Sequence, residues 1–142
     1  MQEDIYFMQE ALKEAKKALL KDEVPVGCVI VKDGKIIARG HNQKEKNKNA
    51  ILHAEIVALN KAQKKLNDWH LNDCILYVTL EPCLMCTGAI IQTRIKKVVY
   101  GCSDPKGGAI DTVIKIDEVP NLNHSFESIS KVREIKYNKR WW

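Results

Sequence analysis

Two short segments of the chain carry residue types that can act on one another, His53-Ala54-Glu55 and Pro82-Cys83-Leu84-Met85-Cys86. Each falls where an extended run gives way to a helix start, and in an α/β sheet such ends gather on one edge, where sites are built. A Cys-x-x-Cys pair in the first turn of a helix meets free backbone N–H groups and the positive end of the macrodipole. Both stabilise thiolates, the form that binds metal. Two cysteines and one histidine are the ligand set of a catalytic zinc site, since three protein ligands leave the fourth tetrahedral position for water. His53, Cys83 and Cys86 are therefore the expected ligands of one Zn2+ per subunit. Zinc brings the pKa of bound water down toward about 7, but a base must still take the proton and deliver it elsewhere. Glu55, two residues past His53, is the expected catalytic shuttle.

Simpler readings compete with this one. A lone Cys-x-x-Cys serves equally as a redox pair or as half of a four-ligand zinc knuckle, but no second such pair exists in the chain. Cys28, Cys74 and Cys102 lie inside apolar, strand-like runs and are expected in the core. Five cysteines without a regular framework do not suggest paired disulfides. His-x-Glu by itself carries little information, and His41, His70 and His124 are as readily structural as functional. The combination of the two segments, in order and each at a helix start, is what carries the metal site.

The elements that must position these residues come from a chain of 142 residues, 45% hydrophobic and 29% charged, which is the size and composition of a single folded domain over residues 1–142. No run approaches the roughly 20 apolar residues that span a bilayer, and the start Met1-Gln2-Glu3-Asp4 lacks the basic region of a signal peptide, so no membrane association and a cytoplasmic location are expected. A net charge of +5 suits an anionic partner without requiring one. Ile5, Met8, Leu12, Ala15 and Leu19 recur at helical spacing with Glu14, Lys16 and Lys17 off that stripe, which predicts an amphipathic helix over residues 4–21. Residues 24–31 are β-branched and apolar, Asp33-Gly34 is a two-residue turn signal, and residues 35–40 complete a hairpin. A polar loop follows over residues 43–49. Further helices are predicted from His53 and over residues 83–94, and further strands over residues 74–79, buried on both faces, and 97–100. Beyond Gly107-Gly108 the pattern gives a short helix or irregular segment over 109–116 and a strand within 126–132. This order predicts an α/β fold with helices on a mixed sheet.

His-x-Glu followed by Pro-Cys-x-x-Cys is the pattern of zinc nucleobase deaminases. The chain resembles the cytidine deaminase-like superfamily and, more closely, the bacterial tRNA-specific adenosine deaminases that make inosine at the anticodon wobble position. The likeness runs over residues 4–124. Besides the metal segments it rests on Asp22-Glu23-Val24-Pro25-Val26-Gly27, His41-Asn42, the run from Leu76 to Glu81, Arg94-Ile95, Asp104-Pro105-Lys106 and Asn123-His124. The last two tilt it toward the tRNA enzymes. The resemblance implies a three-layer fold with a central mixed sheet of about five strands flanked by helices, a homodimer, and the tRNA anticodon stem-loop as partner. It further implies hydrolytic attack on adenine C6, with Glu55 protonating the ring and then the leaving ammonia. The adenine would be held by the Asn42 side chain, the Ala54 backbone and Asn123 against Val24, with Asp104 and Lys106 near the mouth, where RNA passes. On residue chemistry alone, Asn42 and Asn123 read equally as turn or capping residues, Lys106 as a solvated lysine and Val24 as core.

The chain departs from the family in three places. Ala50-Ile51-Leu52 stands where Pro-Thr-Ala is usual, Asp111-Thr112-Val113 where Gly-Ser-Leu is usual, and the family's long C-terminal helix is not recognisable. The end instead carries Arg133, Lys136, Lys139, Arg140, Trp141 and Trp142, which reads either as a tail covering part of the core or as an RNA grip. Three functions are therefore weighed: the tRNA adenosine deaminase, a deaminase of a free base or nucleotide such as guanine or a cytosine compound, and a non-catalytic zinc-stabilised RNA-binding subunit. Glu55 argues against the third, since a structural zinc site needs no proton shuttle.

Overall fold

The computed structural model describes residues 2–132; the basic, tryptophan-bearing end lies outside them. Its elements are α1 (Gln2–Leu20), β1 (Gly27–Lys32), β2 (Lys35–His41), α2 (Ala54–Leu66), β3 (Cys74–Leu80), α3 (Leu84–Gln92), β4 (Lys97–Cys102), a 3-10 turn at Ile116–Glu118 and β5 (Glu127–Ile129). The strands form one mixed sheet in the order β2-β1-β3-β4-β5. β1 runs antiparallel to both β2 and β3, whereas β3, β4 and β5 are parallel. No helix among the described residues is long and apolar enough to cross a membrane.

Period-two alternation along the central strands divides two cores. Cys28, Ile30, Leu76, Val78, Val98 and Tyr100 face α2 and α3, packing on Ala58, Leu59, Ala62 and Ile90. Val29, Val31, Tyr77 and Val99 face the other way and pack on Phe7, Met8 and Ala11 of α1. Helices therefore cover both faces of the sheet, the three-layer α/β arrangement expected. Cys28, Cys74 and Cys102 are buried core residues, and all five cysteines are free.

Several local expectations change in register. The strand predicted from residue 24 begins at Gly27, because Val24–Val26 form a tight turn in which the Val26 N–H donates to the Val24 carbonyl at 2.8 Å. The Asp33-Gly34 turn has positive φ at both residues, 51° and 74°, as a two-residue hairpin turn requires. Of the two alternatives over 109–116, the irregular one forms: turns with an isolated Asp111–Lys115 bridge, ahead of the 3-10 turn that starts at Ile116. α1 is rotated from the stripe read in the sequence: Ile5 and Leu19 are 36% and 48% exposed, while Asp4, Glu10 and Glu14 are buried. Their charges face polar partners, Lys17 on the same helix and the others from elsewhere in the chain. Tyr77 Oη donates to Asp4 at 2.7 Å, Arg39 pairs with Glu10 at 2.8 Å, and Lys17 and His41 lie at 2.8 and 3.4 Å from Glu14.

Candidate active site

Strand direction brings the functional segments to one edge. Because β1 is antiparallel to both neighbours, its first residues lie beside the last residues of β2 and β3, Gly27 opposite His41 and Cys28 opposite Val78. β4 ends alongside β3, with Cys102 opposite Leu80. The segment entering β1 and the segments leaving β2, β3 and β4 therefore meet. At this edge α2 lies hard against β2, so that a Cβ on Gly40 would come within 2.6 Å of the Ala54 carbonyl oxygen. Only glycine lets the start of α2 approach so closely.

His53 and Cys83 occupy the N-cap positions of α2 and α3, both with extended backbone and neither using its side chain to cap its helix. Their ligand atoms remain free for another partner. His53 Nδ1 lies 3.6 Å from Cys83 Sγ and 3.6 Å from Cys86 Sγ. Metal bonds of about 2.1 Å to nitrogen and 2.3 Å to sulfur at a tetrahedral angle place the two donors about 3.6 Å apart. The donor spacing thus fits zinc, and all three ligand atoms lie within 4.8 Å of one another. The nitrogen facing the sulfurs is Nδ1.

Cys83 is held down at about 4, first by the hydrogen bond from Cys86 and further by His53, while Cys86 is pushed far up by keeping the shared proton and by burial. Both sulfurs would have to be thiolates to hold a divalent cation, so binding it would release the remaining thiol proton. Glu55, 3% exposed in the first turn of α2, has its carboxyl pushed up to about 7 by burial. A carboxyl poised there can both take and give a proton near neutral pH.

These residues open into a pocket of about 230 Å³ whose walls include Val24, Asn42, Lys44, His53, Glu55, Glu81, Cys83, Asp104 and Lys106. Val24 does both things the sequence allowed, lining the pocket while packing on the core. Asn42 is buried, and its Oδ1 accepts the Ala54 N–H at 2.9 Å, which leaves the Asn42 amide NH2 as the free donor. Ala54, the other backbone expected to meet the base, is fully buried, and its N–H is the one that Asn42 accepts. Asn123 is not brought to this pocket; it lines a separate cavity of about 380 Å³ with Ile91, Ile116, Val119 and Phe126. Asp104 lines the pocket and its Oδ1 accepts the N–H groups of Lys106 and Gly107, fixing the turn that carries Lys106. The remaining histidines have structural partners: His41 meets Glu14, His70 meets Asp68, and His124 Nε2 meets the Ile95 carbonyl at 2.7 Å.

Two residues missed by the sequence reading hold the pocket's loops. Glu81, 2% exposed, accepts the N–H groups of Asp104, Ile110 and Asp111 at 2.8–3.1 Å and the Thr112 hydroxyl. Glu23, 1% exposed, accepts the N–H groups of Glu45 and Lys46. Their only sequence signal is a carboxylate just ahead of a prolyl segment where a strand begins or ends.

Residues 1–102 match the family described as the cytidine and deoxycytidylate deaminase zinc-binding region. The chain is 53% identical over 124 residues to a tRNA-specific adenosine deaminase of Streptococcus pyogenes serotype M1, covering 87% of this chain and 72% of that protein. Its fold superposes with a TM-score of 0.88 and 41% identity on a structure from work on A-to-I editing by tRNA:A34 deaminases at the wobble position of transfer RNA, covering 91% of this chain and 94% of that one. A guanine deaminase of Bacillus subtilis is more distant, with a TM-score of 0.68 and 31% identity over 95% of this chain and 87% of that one. With His53, Cys83 and Cys86 placed to hold a metal ion, the chain belongs to the cytidine and deoxycytidylate deaminase zinc-binding family, among the tRNA-specific adenosine deaminases.

Proposed function

We propose that the protein hydrolytically deaminates adenosine to inosine at the wobble position of a tRNA anticodon. The observation that carries this reading is the 53% identity to the streptococcal tRNA-specific adenosine deaminase over most of both chains. His53, Cys83 and Cys86 would hold one zinc ion per subunit, which supplies Lewis-acid activation of the water consumed in the reaction. Glu55 takes one proton from that water and delivers it to the purine ring nitrogen as the oxygen bonds to C6, then takes the second proton from the resulting C6 hydroxyl and gives it to the amino group, which leaves as ammonia as the C6 carbonyl forms. Burial suits it to this, because a carboxyl near neutral pKa exchanges protons in both directions without a large free-energy gap. The Asn42 NH2, held by the Ala54 backbone, donates to an acceptor on the base, and Val24 presents an apolar surface to the ring. Asp104 shapes the rim and Lys106, beside it, meets the RNA backbone.

We further place the enzyme in the cytoplasm, with the anticodon stem-loop as substrate and a second copy of the chain as partner. The outer side of α3 supports the dimer: Leu84 is 59% exposed, and a Cβ on Gly88 would meet open space. The deciding experiment is inosine formation by zinc-loaded protein on a stem-loop bearing a wobble adenine, run beside free guanine, adenosine and cytidine. Turnover of the stem-loop alone is expected. Turnover of guanine without the stem-loop would move the chain to the free-base branch with the same metal chemistry.

A further inference from the structure

Glu23 belongs to no part of the reaction described above, yet its carboxylate is almost completely enclosed. Enclosing a carboxylate is costly unless its oxygens are satisfied. Here both are: Oε1 accepts the Glu45 N–H at 3.0 Å and Oε2 accepts the Lys46 N–H at 2.8 Å. Among the described residues no basic side chain pairs with it. The carboxylate therefore serves, among the described residues, the loop between β2 and α2, through two charge-assisted bonds. No other backbone hydrogen bond among the described residues ties the tip of that loop to the body of the domain; its remaining backbone bonds there are internal, from Asn47 to Gln43 and from Asn49 to Lys44.

Lys44, next to the two clamped amides, is exposed and lines the pocket. Lys106 reaches the same pocket from the loop that follows β4. We propose that Glu23 is a positioning residue for nucleic-acid binding: by clamping the Glu45 and Lys46 amides it holds the Lys44 ammonium at the pocket mouth, where it meets a phosphate next to the nucleotide whose base enters the pocket. The inference rests on the reading that the substrate is RNA. A free base carries no phosphate and would gain nothing from the clamp.

The test uses zinc-loaded protein carrying Glu55→Ala, so that the stem-loop is bound without turnover, and measures Kd across a salt series. Glu23→Ala is expected to weaken binding roughly five- to tenfold and to lower the slope of log Kd against log salt by about one phosphate contact. Lys44→Ala is expected to do the same, and the double variant to bind no more weakly than either single one, because both remove one contact. Glu23→Gln keeps one acceptor oxygen for two N–H donors and falls between. Hydrogen exchange should show the Glu45 and Lys46 amides released in Glu23→Ala, independently of any RNA. If Glu23→Ala does not fold, Glu23→Gln and Lys44→Ala complete the same cycle. Unchanged affinity and salt slope with the amides released, or additive losses in the double variant, would overturn the proposal. If the parent protein binds no stem-loop at all, the tRNA reading fails and the phosphate contact with it; a parent that binds while Glu23→Ala binds equally well fails the clamp alone.

Discussion

Removing the Glu81 carboxylate should detach the 104–112 loop from the body of the domain. Glu81 accepts four hydrogen bonds, two at each oxygen: Asp104 N–H and the Thr112 hydroxyl at Oε1, Ile110 N–H and Asp111 N–H at Oε2. The loop closes over it so tightly that a Cβ on Gly108 would stand 2.4 Å from Oε1 and 2.8 Å from the Asp104 carbonyl oxygen. Bonds to a carboxylate contribute about 1.5–3 kcal/mol each, but the donors do not count equally. Asp111 and Thr112 are exposed and regain water once Glu81 is gone, whereas Ile110 is 2% exposed and Asp104 is half-buried. Two poorly compensated N–H groups, offset in part by no longer burying a charge, give a loss of about 3 kcal/mol for Glu81→Ala. In a domain of this size that is roughly 10 °C in Tm. Glu81→Gln behaves differently. Its NH2 can turn toward Thr112, whose hydroxyl rotates to accept, so only the Asp104 N–H is stranded, at a cost of about 1 kcal/mol. Urea unfolding of zinc-saturated protein, with metal content measured beside it, separates the three. Glu81→Ala within 0.5 kcal/mol of the parent, a margin of about the usual surface-substitution effect, would refute the assignment.

Glu55→Ala should keep one zinc per chain by metal analysis and lose about 10²- to 10⁴-fold in turnover; full activity of the loaded variant contradicts the shuttle. Cys86→Ala should lose both metal and stability, and a chelator should lower the Tm of the parent but not of this variant, because ligand binding and folding are coupled. His41→Asn tests a pH dependence. Burial holds His41 below its ordinary value, with the Glu14 hydrogen bond opposing, so the unfolded chain, titrating near 6.5, binds the proton more readily. Stability then falls as pH drops through about 6.5, and the variant should show a shallower fall when unfolding is compared at about pH 7.5 and 5.5. Equal slopes would refute it.

The metal site was legible in the sequence because its ligands are placed by local rules. A Cys-x-x-Cys after proline and a histidine before an apolar helical stripe each mark a helix start, and helix starts after strands or loops gather on one sheet edge. The hairpin, the doubly buried β3 and the α/β order with helices on a mixed sheet were legible for the same reason, since periodicity and turn chemistry act over a few residues, while the three layers were implied by the resemblance. Other features depend on partners distant in the chain. The helical stripe of α1 was misassigned because Asp4, Glu10 and Glu14 look solvated until Tyr77, Arg39 and His41 arrive beside them. Asn123 was carried to the pocket by resemblance, but the path of the chain after β4 leaves it beside Ile91 in another cavity.

By itself the sequence determined which atoms can bind the metal and which carboxyl can move a proton, because ligand chemistry belongs to residue types. Only the tertiary structure decided which other carboxylates count. Glu23 and Glu81 look like ordinary surface charges in the sequence, and each becomes a buried anchor only when backbone amides some twenty to thirty residues further along fold over it. Whether a buried charge stabilises or disrupts depends on donors that reach it, and where those donors lie is a property of the whole fold.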